Sequence, residues 1–292
     1  MSQTIGANAI YIPWEEMQAL GVNHMEACLG RRGSYEDRLD RMLQALDAAK
    51  DAPAPYSIHL PLYLPSDMAY DYLDAFFLDE NPIKRQFSID LVETNLKKLK
   101  EAGYQPQYVV QHFAGINLDQ HVAYAGFDGV LKSSLEALNE LGQAYGTPIL
   151  LEYIASNVLF HDPDQWVEAL ADYSHLGLLT DTGHLYFASE LYGFDFATAL
   201  ESLAPASEAF HVWTVKGPGA YQNNQSYVDF HHLAPRLNQV EEEGWAFDTQ
   251  GVLAYLASFQ KPIIIEASMV YGGRDNYTES LKECAAMLRK IV

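Results

Sequence analysis

A chain of 292 residues with 49% hydrophobic content is long enough for one large barrel, and no shift in composition splits it, so it reads as one domain over 1–292. Asp and Glu outnumber Lys and Arg by 39 to 18, a formal charge of −21. Proteins that grip duplex DNA neutralise phosphates with Lys and Arg, so this balance argues against a nucleic-acid partner and for a small-molecule substrate.

The opening segment MSQTIGANAIYIPWEEM has no basic start followed by a long apolar run. No stretch reaches the roughly 20 apolar residues that cross a bilayer. A soluble, cytoplasmic protein without a membrane partner is the expectation. Cys28 and Cys284 are too far apart for a metal-spacing pair, so neither a disulfide framework nor a thiolate zinc site is expected.

In chain order, strand-like runs Ile5–Ala9 and Val22–Cys28 are followed by a helix over Ser34–Lys50. Strand Tyr56–Leu60 precedes helix Ser88–Ala102, strand Tyr108–His112 precedes helix Val130–Tyr145, and strand Pro148–Glu152 precedes helix Pro163–Tyr173. Strand Leu176–Asp181 leads to helix Phe196–Leu203, strand Ala209–Trp213 to helix Thr249–Phe259, and strand Pro262–Glu266 to helix Thr278–Ile291. Eight strands alternating with helices predict an α/β fold, a single (β/α)8 TIM barrel. Ser34, three residues before Asp37, and the pair Asp162-Pro163 are helix-start signals. The long stretches Tyr63–Pro82 and Lys216–Pro235 are expected to wall the active site, because βα connections of a barrel do so.

Six consecutive strand ends carry an imidazole or a carboxylate. They are His59 in SIHLPL, His112 in VVQHFAG, Glu152 in ILLEY, Asp181 and His184 in LLTDTGH, His211 in FHVW and Glu266 in IIIEAS. In a closed barrel these ends converge on one face, whatever their separation in sequence. Singly, His59 or His112 is more often a hydrogen-bonded loop residue than a ligand, and Asp181 with His184 could also be a structural hydrogen-bonded pair. Glu152 and Glu266 end nearly continuous apolar strands, where a carboxylate must be paired or ligate a cation. Imidazoles and carboxylates together suit Zn²⁺ or Mn²⁺. A further cluster, Asp229-Phe230-His231-His232, places Asp229 and His231 two positions apart, on the same side of an extended chain.

From about Val22 onward the sequence resembles the xylose isomerase-like TIM barrels, a superfamily that includes the endonuclease IV family and many sugar isomerases and epimerases. The endonuclease IV resemblance implies a three-metal ligand set carried here by His59, His112, Glu152, Asp181, His184, His211, Asp229, His231 and Glu266. In it, His59, His112 and a bridging Glu152 take one ion, Asp181, His211 and Glu266 a second beside Glu152, and His184, Asp229 and His231 a third. The isomerase and epimerase branch implies one ion on Glu152, Asp181, His211 and Glu266, with the two glutamates as base and acid. Glu26 resembles a glutamate that many members carry on the second strand, and reads equally as a buried structural residue.

The filled three-metal set favours a divalent-metal-dependent hydrolase of a small phosphoester, with two or three Zn²⁺ or Mn²⁺ ions generating hydroxide and stabilising charge. Glu152, Glu266 and His184 are its expected catalytic residues. Lys216 and Arg274 are the expected phosphate cations, and Trp213 and Tyr153, with Tyr63 and Tyr271, the pocket aromatics. The alternative is a sugar or sugar-phosphate isomerase or epimerase. A binding protein that has lost catalysis and an endonuclease acting on abasic DNA rank below both.

Overall fold

The computed structural model describes residues 3–30, 33–51, 55–114, 124–155, 157–216, 232–269 and 272–291. Eight parallel strands form a closed barrel in sequence order, with β1 (Ile5–Asn8) paired to both β2 (His24–Cys28) and β8 (Ile263–Ile265). Between them run β3 (Tyr56–His59), β4 (Val109–His112), β5 (Ile149–Tyr153), β6 (Leu176–Asp181) and β7 (Ser207–Val212). Each expected strand is present, with ends moved by at most two residues.

The helices are α1 (Trp14–Leu20), α2 (Tyr35–Asp51), α3 (Pro82–Glu101), α4 (Phe127–Tyr145), α5 (Pro163–Leu170), α6 (Thr182–Tyr192), α7 (Phe196–Leu203), α8 (Thr249–Ala257) and α9 (Gly273–Ile291). Both start signals act as read: Ser34 Oγ accepts from the Asp37 amide at 3.1 Å, and Asp162 caps α5 with Pro163 in its first turn. Two helices escaped the sequence pattern. α1 has only seven residues. The first eight residues of α6, Thr182 to Ser189, are all buried, so the polar face that makes a helical period visible is missing. None of the described helices is long and apolar enough to cross a membrane.

Strand parity positions the site. Residues two apart on a strand face the same side. One set, with Met25, Ile58, Val109, Leu151, Leu178, Phe210 and Ile265, packs outward in the large core against the helices. The other set turns into the barrel, where Tyr108, Val110, Leu150, Leu179 and Ala209 form a separate apolar layer. Gly6 on β1 leaves room for that filling, since a Cβ there would lie 2.1 Å from Ile264 Cδ1 and 3.2 Å from His24 Cδ2. Moving two residues toward the C-terminal end carries Val110 to His112, Leu150 to Glu152, Leu179 to Asp181, Ala209 to His211 and Ile264 to Glu266. On β4 to β8 the polar layer therefore rests on apolar residues, while β2 and β3 carry the buried polar His24 and Ser57.

Candidate metal centre

Among the described residues, two groups of side chains at that layer can hold a metal ion. Glu152, Asp181, His211 and Glu266 form one and His59, His112 and Glu152 the other, with ligand atoms in each within 4.8 Å of one another. Glu152 belongs to both. Its Oε2 accepts from His59 Nε2 at 2.9 Å and lies 3.1 Å from His112 Nε2. Its Oε1 turns toward the first group, 3.6 Å from His211 Nδ1. The same Nδ1 lies 3.2 Å from Glu266 Oε2 and 4.0 Å from Asp181 Oδ2. Asp181 is also the N-cap of α6: Oδ1 accepts from the His184 amide at 2.7 Å and Oδ2 from Trp213 Nε1 at 2.6 Å.

Three buried carboxylates meet here, and the electrostatics register the crowding. Burial, then the charges of Glu152 and Glu266, push the Asp181 carboxyl well above the usual range. Glu152 stays ionised: burial drives it up, but the His112 and His211 charges hold it well below the ordinary value. At Glu266 burial is likewise outweighed by His211 and His232, which bring it to about 2. His59 is pulled down by burial yet raised to about 10 by its bond to Glu152 and the neighbouring charges.

Those residues fit a divalent cation. His211 Nδ1 and Glu266 Oε2 are both buried, and among the described residues neither has a hydrogen-bond partner despite their 3.2 Å separation. Imidazole nitrogen with carboxylate oxygens is a donor set for Zn²⁺, Mn²⁺ or Mg²⁺. A dication would also neutralise carboxylates whose mutual burial otherwise costs several kcal/mol.

A family model described as xylose isomerase-like TIM barrel matches residues 14–291. The chain belongs to that family. No curated protein matches the sequence significantly. Among solved structures, this family member is similar to a D-tagatose 3-epimerase-like protein, with a TM-score of 0.65 and 16% identity over 99% of this chain and 98% of the other. It is similar to the 3-keto-D-glucoside 4-epimerase YcjR from E. coli, with a TM-score of 0.60 and 16% identity over 99% and 100% of the two chains. A mannonate dehydratase from Streptococcus suis serotype2 superposes with a TM-score of 0.64 and 12% identity over 100% and 94%.

These findings correct the expectation of a phosphoester hydrolase, and with it the abasic-site endonuclease. The similar structures include several sugar epimerases, and the described ligands form a four-residue group suited to a single ion. The reading of two or three ions rested on the endonuclease IV resemblance; among the described residues there are two candidate groups that share Glu152, each of a size for one ion.

Of the nine expected ligands, His59, His112, Glu152, Asp181, His211 and Glu266 come together as described. Asp229 and His231 lie outside the described residues, as does Tyr271. His184 sits in the first turn of α6 with Nε2 3.9 Å from Glu152 Oε1, beside the two groups rather than in either. Trp213 is fully buried and serves Asp181 through its indole N–H, with its ring against His184 and His232. Tyr153 has the opposite parity to Glu152, so its ring turns out toward Trp166 and its hydroxyl donates to the His161 carbonyl. Lys216 holds its ammonium over the Trp245 ring, 5.3 Å from the centroid. Arg274, in the first turn of α9, is paired with Glu16 of α1. Tyr63 lies under the Lys98 ammonium.

Two participants were missed by sequence reasoning. His232 Nε2 stands 3.9 Å from Glu266 Oε2, on a backbone with φ of 59°, and Ser57 bonds Glu26 beneath the ligands. The second was legible in principle: Ser57 stands two residues before His59 on β3, so both face the barrel interior.

Proposed function

We propose that this chain is a metal-dependent isomerase or epimerase of a sugar or sugar phosphate, its whole length of 1–292 forming one catalytic domain. The observation that carries the reading is the placement of Glu152 and Glu266 on one imidazole nitrogen, with carboxylate oxygens 3.6 and 3.2 Å from His211 Nδ1. Two carboxylates brought that close to one point can exchange a proton with the two sides of a carbon held between them. The similar epimerase structures support the same reading.

The ion we assign to Glu152, Asp181, His211 and Glu266 is Mn²⁺ or Zn²⁺. Bound there, it would supply Lewis acidity to the substrate's carbonyl oxygen and so acidify the neighbouring C–H. Glu152, held ionised by His112 and His211, is the base that removes that proton as the C–H electrons move to the carbonyl oxygen. The proton taken by Glu152 passes through the substrate hydroxyls to Glu266, which would deliver it to the other face as the electrons return from the oxygen to the carbon, so that both carboxylates end ionised as they began. His59 and His112 fix the orientation of Glu152 by sharing its Oε2. His184, next to Glu152 Oε1, would contact a substrate oxygen.

The test is proton NMR of Mn²⁺- or Zn²⁺-loaded protein with a panel of free and phosphorylated ketoses and aldoses in D₂O. Exchange of the proton beside the carbonyl, with appearance of an isomer, is expected, and Glu266→Gln should lose at least a hundredfold of the rate. Neither exchange nor isomer with any member of the panel would reject the reading. Loss of water without isomer formation would move the assignment to a dehydratase.

A further inference from the structure

Beneath the metal group lies a buried polar chain that the proton transfer does not use. His24, Glu26 and Ser57 are each fully buried. His24 and Glu26 share one face of β2, and Ser57 is the register partner of Glu26 on β3. Ser57 Oγ donates to Glu26 Oε2 at 2.9 Å. The hydroxyl hydrogen being given to Glu26, Ser57 accepts from His24 Nε2, 2.9 Å away, which places the proton of His24 on that nitrogen. Burial, opposed by the Glu26 charge, lowers His24 to about 4, so the ring is neutral near pH 7.

The other oxygen of Glu26 faces the metal group. Glu26 Oε1 lies 2.9 Å from His211 Nε2. The two atoms are within contact distance, although neither has a hydrogen bond of good geometry among the described residues. His211 is thus bracketed: Nε2 meets Glu26, while Nδ1 meets Glu266, Glu152 and Asp181. A neutral imidazole has one donor and one acceptor nitrogen. A proton kept on Nε2 by Glu26 leaves the Nδ1 lone pair for a cation, and the carboxylate behind the ring raises that nitrogen's basicity.

We propose that Glu26 is a positioning residue for the metal centre: it holds His211 with Nε2 protonated and Nδ1 turned to the ion, and is itself held by Ser57 and His24. The proposal rests on the reading of His211 as a metal ligand. Glu26 touches no substrate and takes part in no bond change. Its effect is read in affinity for the ion and in the protonation pattern of one ring.

Zn²⁺ alone is the probe, being diamagnetic. The full chain is labelled with ¹⁵N-histidine, the ring nitrogens of His211 are assigned by comparison with His211→Gln, and Zn²⁺ affinity is measured by competition with a chelating dye. Wild type is expected to show Nε2 of His211 protonated with and without Zn²⁺, and Nδ1 shifted when Zn²⁺ is added. Glu26→Gln presents an amide instead of a carboxylate and should weaken Zn²⁺ binding by about 10- to 100-fold, Ser57→Ala by a smaller factor. An unprotonated Nε2 in wild type, or Glu26→Gln with unchanged affinity and nitrogen shifts, overturns the proposal. Wild type that binds no Zn²⁺ rejects the metal reading instead, and the metal-free spectrum then decides the role of Glu26. Should Glu26→Gln fail to fold, the wild-type spectra and Ser57→Ala decide.

Discussion

Trp213 Nε1 donates to Asp181 Oδ2 at 2.6 Å while the other oxygen of Asp181 caps α6 through the His184 amide at 2.7 Å. A carboxylate of the metal group is therefore held from both sides, by a β7-end indole and by a helix N-terminus. Asp181 cannot swing away from His211 without breaking one of these bonds. That rigidity suits a ligand, since outer partners that orient a ligating carboxylate typically control affinity.

Replacing the indole tests this. Trp213→Phe keeps an aromatic ring in the same packing but removes the donor, leaving Asp181 Oδ2 without its indole partner. Affinity for Mn²⁺ or Zn²⁺ should fall about tenfold with circular dichroism unchanged. Unchanged affinity would show that the cap alone orients Asp181.

Gly183 lies against the same indole. A Cβ at this position would be 2.3 Å from Trp213 Cδ2, closer than carbon atoms can approach. The ring is fully buried. Gly183→Ala is expected to destabilise the fold by about 1–3 kcal/mol, the usual range for overpacking, and to weaken metal binding along with it. Thermal denaturation of the metal-free variant separates the two effects.

His24 gives the fold a defined sensitivity to acid. Its folded value of about 4 lies below the ordinary 6.5, so the unfolded chain takes up the proton first. The stability it contributes is fully present above pH 6.5 and is lost as pH falls from 6.5 through about 4. The shift corresponds to about 3 kcal/mol at most. His24→Gln, which keeps a donor near Ser57, should flatten that part of the profile in urea titrations at successive pH values. A variant whose stability falls with pH as steeply as wild type would contradict the assignment.

Arg274 offers a control in the opposite direction. Its pair with Glu16 is exposed, and exposed pairs contribute little. Arg274→Ala should leave KM for a phosphorylated sugar within about twofold and Tm within a few degrees. A large rise in KM would return Arg274 to the substrate site.

How much was readable from sequence differs by feature. The strand of β6 and helix α7 were legible to the residue, because Leu176–Asp181 is an apolar run ended by a capping Asp and Phe196–Leu203 carries a helical period. Helix α6 was not, because burial on every side erased its period. The strand-end ligands were legible because a parallel barrel gathers its C-terminal strand ends on one face, so polar residues ending apolar strands identify themselves without any local spacing.

Sequence by itself therefore determined the barrel, the eight strands and the candidate ligands at their ends, since local periodicity and the closure of parallel βα units leave few other arrangements. Only the tertiary structure decided which ligands share a point. It placed Glu152 between two groups, turned Tyr153 outward and Arg274 to Glu16, and set Glu26 behind His211. Those outcomes depend on strand register and on side-chain direction across the barrel, where atoms on strands that are distant in sequence meet within a few ångströms and no pattern along one strand encodes the encounter.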